Sequence, residues 1–112
     1  MMKRAEHQPE GTVMIYAGIF CKTWHVADVG TLLPQHAHDW PHITMLVRGA
    51  IRLWRGEQLD GDYQAPATLK IPARELHSFL TLTDNCILAC IHAVGQAGEP
   101  AIHQHHNLEL EE

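Results

Sequence analysis

The chain has 112 residues, 46% hydrophobic and 19% charged, with 8 basic against 13 acidic side chains and a formal net charge of −5 with histidines neutral. That length is one domain's worth, and the scattered lysines and arginines form no stripe to neutralise phosphates, which argues against a nucleic-acid partner. No run approaches the ~20 apolar residues of a membrane span, and the three cysteines (Cys21, Cys86 and Cys90) form no CxxC pair, which fits a reducing, cytoplasmic setting without a disulfide framework.

Residues 1–11 are polar, include Pro9 and Gly11, and read as a flexible N-terminal segment. An apolar run from Val13 to Cys21 follows Lys3 and Arg4, but Glu6, Pro9 and Glu10 intervene and no small-x-small cleavage site follows, so it reads as strand and not as a leader. From Thr12 onward, β-rich runs alternate with turn residues and predict strands at 12–17, 20–28, 31–35, 42–48, 50–55, 67–71, 76–83 and 86–94, about eight in all. No window carries an apolar stripe of helical period, and Gly or Pro punctuates every several residues. Residues 12–95 are therefore expected to form one all-β sandwich or barrel. Arg48-Gly49-Ala50 and Thr83-Asp84-Asn85 each suggest a tight hairpin. Residues 96–112 read as a flexible C-terminal tail, and its His103, His105 and His106 lack the fixed surroundings a specific metal site needs.

Ten histidines occur, and four of them carry the chemical signal. His36 and His38 are two positions apart, so on a strand both leave the same face. His42 follows Asp39-Trp40-Pro41, which can turn the chain and return a third imidazole beside the first two. His77 must be delivered by another strand. Neutral imidazole is the commonest protein ligand for a transition metal, so the set predicts a metal centre.

Gly30, His36, His38, His42 and Gly49 fit the spacing of the first cupin motif, Gly, five residues, His-x-His, three or four residues, Glu, six residues, Gly, with His42 standing where the motif has Glu. Pro72 and His77 match the second motif, whereas Pro66, Arg74 and Thr81 stand where Gly, Gly and Asn are expected. The chain thus resembles the cupins, and the motifs span residues 30–81. The resemblance implies a single-domain jelly-roll β-barrel, usually dimeric, binding one divalent transition metal through His36, His38, His42 and His77 in the barrel mouth. Four neutral imidazoles leave the ion its full +2 charge, which favours anionic or chelating small-molecule ligands. An all-nitrogen set suits Fe, Cu, Ni, Co or Zn better than Mg or Ca.

The function this implies is a metal-dependent oxygenase or dioxygenase acting on a small molecule. The alternatives are a non-redox lyase or isomerase on the same ligands, and a module that binds metal and ligand without turnover. Glu75, two residues before His77, is the candidate general base, although a solvated turn residue is the plainer reading. Trp40 lies between ligands and is a pocket candidate. Alternation places Cys86, Leu88, Cys90 and His92 on one face of the last strand, which makes Cys90 and His92 further pocket candidates if that face lines the barrel.

Overall fold

The computed structural model describes residues 7–94. Nine strands and no helix occur among them: β1 (Glu10–Tyr16), β2 (Ile19–Val26), β3 (Leu32–His36), β4 (His42–Arg48), β5 (Ala50–Arg55), β6 (Gln58–Gln64), β7 (Ala67–Ile71), β8 (His77–Thr81) and β9 (Cys86–Ala93). They form a five-stranded sheet, β1-β2-β9-β4-β7, and a four-stranded sheet, β3-β8-β5-β6. Every strand pairing is antiparallel. This is the expected all-β jelly-roll architecture.

The inward faces follow from alternation. On β4, His42, Thr44 and Leu46 are buried while Ile43, Met45 and Val47 are exposed. On β9, the Cys86, Leu88, Cys90 and His92 face turns inward. On β2, Phe20, Lys22 and Val26 are buried, and the Lys22 ammonium lies 4.3 Å from the centroid of the Trp24 ring, an attraction between cation and π-face that helps keep a charge inside the fold. Val26, Leu33, Leu46, Ile51, Leu53, Leu69, Phe79, Cys86 and Leu88 make the apolar core between the sheets. His42, His77 and His92 occupy the same inward faces at one end of their strands. The interior is therefore apolar at one end and imidazole-rich at the other.

Four sequence expectations are corrected here. Strand β6 (QLDGDYQ) was not among the predicted runs, because it is polar and lies at a sheet edge where Tyr63 alone of its side chains packs against the core. Strand β1 starts at Glu10, two residues before the expected onset, because Glu10 and Gly11 pair with His25 and Trp24. Neither predicted hairpin exists. β4 and β5 lie in different sheets, as do β8 and β9, so Gly49 and Thr83-Asp84-Asn85 are corners where the chain crosses from sheet to sheet. The two corners pack together, with Ala50 N donating to Thr83 Oγ1 at 3.0 Å and Leu82 N donating to Ala50 O at 2.8 Å.

The tight hairpins lie elsewhere. Ala17-Gly18 joins β1 to β2 with φ of 52° and 75°, the pair of positive φ angles that a type I′ turn requires. Alanine is a poor occupant of that first position, where Asn is preferred. Ala17→Asn is expected to raise unfolding stability by about 0.5–1 kcal/mol, measured as a higher urea midpoint with unchanged slope; a lowered midpoint would contradict the turn assignment.

Departures from the second motif are also accounted for. Arg74 adopts φ 61°, the left-handed conformation that the motif's glycine would take without strain. Thr81 accepts from Thr31 N at 2.9 Å and its hydroxyl donates to Asp28 O at 2.9 Å, so it bridges the segment preceding β3 from the motif's Asn position.

Candidate metal centre

Three of the four predicted ligands converge. His38, His42 and His77 are 3%, 5% and 1% exposed, and one ring nitrogen from each lies within 4.8 Å of the others. Ring centroids are 5.1 Å apart for His38 and His42, 5.5 Å for His42 and His77, and 6.0 Å for His38 and His77. No carboxylate or thiol joins this group among the described residues.

Each ligand is placed by a different device. His42 and His77 are the first residues of β4 and β8, in opposite sheets. His38 is not on a strand, which corrects the expectation that His36 and His38 leave one face of a single strand. β3 ends at His36, and His38 follows in irregular chain. Its carbonyl accepts from Arg74 N, so the β7–β8 loop grips the segment that carries the imidazole. A register shift between Leu33 and His36 marks a bulge on β3, an edge strand of its sheet, where such irregularities are common. The His36 backbone pairs with His77, and its side chain lies outside the described residues, as do His103, His105 and His106.

The ring of His77 is oriented by a hydrogen bond. Its Nδ1 lies 3.0 Å from the carbonyl oxygen of Glu75, which makes Nδ1 the donor and leaves the Nε2 lone pair for a metal. The Glu75 side chain does something else: its carboxylate accepts from Arg55 Nη1, which also donates to Lys70 O at 3.0 Å. Burial works against the charge on Arg55, but the hydrogen bond and charge of Glu75, with those of Asp60, hold its pKa above the ordinary arginine value. The carboxylate proposed as general base is thus engaged in an ion pair, and Glu75 meets the candidate centre through its backbone. Arg52 is likewise engaged, by Asp62 at 2.7 Å.

The other pocket candidates border the same end. Trp40 stacks on His38, with centroids 5.4 Å apart and 13° between planes, and lies 5.4 Å from His92. His92 stacks on Phe20 at 4.8 Å, and its Nδ1 is 3.2 Å from Ala93 O. Cys90 faces inward with its sulfur 3.7 Å from Thr44 Oγ1. All three cysteines are thiols. A cavity of about 520 Å³ lies near this end of the five-stranded sheet, and its lining includes Trp40, Pro41 and Pro72 with the outward-facing Ile43, Lys70 and Ile91. Sequence reading missed Phe20 and the Arg55–Glu75 pair; the alternation of β2 pointed to the first, and nothing local pointed to the second.

The donor set fits a transition ion. Neutral imidazoles from three separate elements, buried and converging, are borderline-soft nitrogen ligands suited to Fe, Co, Ni, Cu or Zn, and a hard oxygen-seeking ion would find no carboxylate here.

No protein-family model matches the sequence, and no curated protein does. Solved structures do match in fold. A cupin superfamily protein from Desulfitobacterium hafniense aligns with TM-score 0.67 at 14% identity, covering 85% of this chain and 84% of that one. A protein with a double-stranded β-helix domain from Klebsiella pneumoniae aligns with TM-score 0.68 at 17% identity, covering 87% and 86%. An RmlC-like cupin from Methanocaldococcus jannaschii aligns with TM-score 0.68 at 12% identity, covering 84% and 87%. The chain thus shares the fold of these cupin and double-stranded β-helix structures.

Proposed function

We propose that this protein is a metal-dependent oxygenase acting on a small molecule, with one divalent transition ion held by His38, His42 and His77 and by His36 as the fourth ligand. The observation that carries this reading is the convergence of three buried imidazoles at one end of a cupin-like barrel. A bound iron or copper ion would supply Lewis acidity and a redox partner for dioxygen. The chain's own residues hold the ligand geometry: Glu75 O fixes the His77 ring, and Trp40 packs against His38. The test is oxygen uptake by the iron- and copper-loaded protein across diketones, thiols, hydroxy acids and phenols. Uptake coupled to substrate loss in the loaded protein, absent in the zinc form, is expected; conversion that survives in zinc would identify a non-redox lyase or isomerase instead.

We place the reaction in the cytoplasm, in keeping with three thiols. We also propose a homodimer built on β1. All seven residues of this edge strand are exposed, including Val13, Met14, Ile15 and Tyr16. Its outer edge has no neighbour among the described strands, and a strand can pair antiparallel with its own copy about a twofold axis. Light scattering should give a dimer for the wild type and a monomer for Ile15→Lys; a dimeric variant would remove β1 from the interface.

A further inference from the structure

Arg55 ends β5 and stands opposite His77 of β8, at the end of the barrel where the imidazoles gather. Its Nη1 donates to the carbonyl oxygen of Lys70 at 3.0 Å and to the carboxylate of Glu75, and its Nε lies 3.4 Å from Asp60 Oδ1. Asp60 is itself held, because it accepts from the Tyr63 hydroxyl. Lys70 belongs to β7, in the five-stranded sheet, and Glu75 to the loop of residues 72–76 that leads on to β8. One guanidinium from the four-stranded sheet is thus fastened both to the facing sheet and to the loop between them.

That loop meets the imidazole group twice through its backbone. Arg74 N donates to His38 O, and Glu75 O accepts from His77 Nδ1. The third histidine is tied to the same anchor, since His42 pairs with Ile71, the residue after Lys70. Arg52 supplies the contrast: it also lies on β5, but its bonds to Asp62 join two residues already paired in the β5–β6 ladder, so they add no constraint at the barrel end. An isolated exposed ion pair contributes little, whereas a planar fork bonded to acceptors on separate segments fixes their spacing. We propose that Arg55 is a positioning residue for the metal centre, which through Lys70 O and Glu75 seats the 72–76 loop against both sheets and so sets the convergence of His38, His42 and His77. Its effect on metal affinity rests on the proposed centre; the seating of the loop does not.

The test compares full-length wild type, Arg55→Gln, Arg55→Lys and Arg52→Gln. Cobalt(II) affinity is measured by chelator competition, together with the absorption spectrum of the bound ion; in the metal-free proteins, NMR follows amide exchange at Arg74 and the ring nitrogens of His77. Arg55→Gln is expected to weaken cobalt binding about tenfold, to shift the spectrum, to speed exchange at Arg74 N and to loosen the Nδ1–H tautomer of His77. Arg55→Lys keeps the charge but not the fork, and should recover part of the affinity. Arg52→Gln, which removes an ion pair from the same strand, should change none of these. Cobalt affinity and spectrum unchanged in Arg55→Gln, an equal loss in Arg52→Gln, or exchange and ring signals unaltered in metal-free Arg55→Gln would overturn the inference. A wild type that takes up no cobalt, while Arg55→Gln still frees Arg74 N and the His77 ring, would refute the metal centre and support the seating of the loop by Arg55.

Discussion

Replacing His77 by alanine is expected to abolish tight metal binding. His77 is 1% exposed, begins β8 and contributes a nitrogen within 4.8 Å of those of His38 and His42, so its loss removes the only described ligand from the four-stranded sheet. Changing a residue that merely supports a ligand costs roughly 10–100-fold in metal affinity, and removing the ligand itself should exceed that. Competition against a chromophoric chelator measures the loss. Because a buried side chain is also being deleted, thermal unfolding of the metal-free wild type and variant gives the packing cost separately. His42→Ala should behave alike. A variant that binds metal within threefold of wild type would remove that histidine from the centre.

Gly49→Ala is expected to be the most damaging single methyl in the molecule. Gly49 has φ 91°, and a Cβ there would sit 2.6 Å from both Cys86 Sγ and Thr83 Oγ1. The conformation alone costs a non-glycine residue about 1–2 kcal/mol, and crowding a packed region adds about 1–3 kcal/mol. Relief by movement is limited, because Thr83 Oγ1 accepts from Ala50 N and the Cys86 thiol lies 3.4 Å from Ala50 O. The sum, about 2–5 kcal/mol, is a large part of the stability of a domain this size. Urea unfolding should show it, with the slope unchanged. A loss below about 0.5 kcal/mol would mean that the two corners do not pack as described.

Those corners also show where the sequence was silent. Gly49 and Asn85 announce a reversal of direction, and the chain does reverse at both. A local turn signal is the same whether the next strand pairs with its predecessor or crosses to the facing sheet; that choice is set by distant partners, such as Ile43 against Ile91. Strand β6 escaped notice because Gln58, Asp60, Asp62 and Gln64 need only pair at an edge, and no core contact selects their side chains. Alternation, by contrast, is local. It correctly grouped Cys86, Leu88, Cys90 and His92, and only the direction of that face awaited the fold.

The candidate site was legible for a similar reason. Spacing singled out His36, His38, His42 and His77, and the last three come together, although β3 ends at His36 and leaves His38 off the strand. Glu75 was singled out by sequence proximity to His77, and proximity was real: its carbonyl holds the ring. The carboxylate's commitment to Arg55 depends on β5 lying beside β8, where Arg55 pairs with His77, and no local pattern encodes that.

The central claim is that interior histidines, and not those of the C-terminal tail, hold one metal ion. Elemental analysis of tag-free protein decides it, run side by side on the wild type, a His103→Ala/His105→Ala/His106→Ala variant and a His38→Ala/His42→Ala/His77→Ala variant. One equivalent of a divalent transition metal per chain is predicted for the first two and none for the third. Full occupancy in the interior variant, or its loss in the tail variant, would contradict the account.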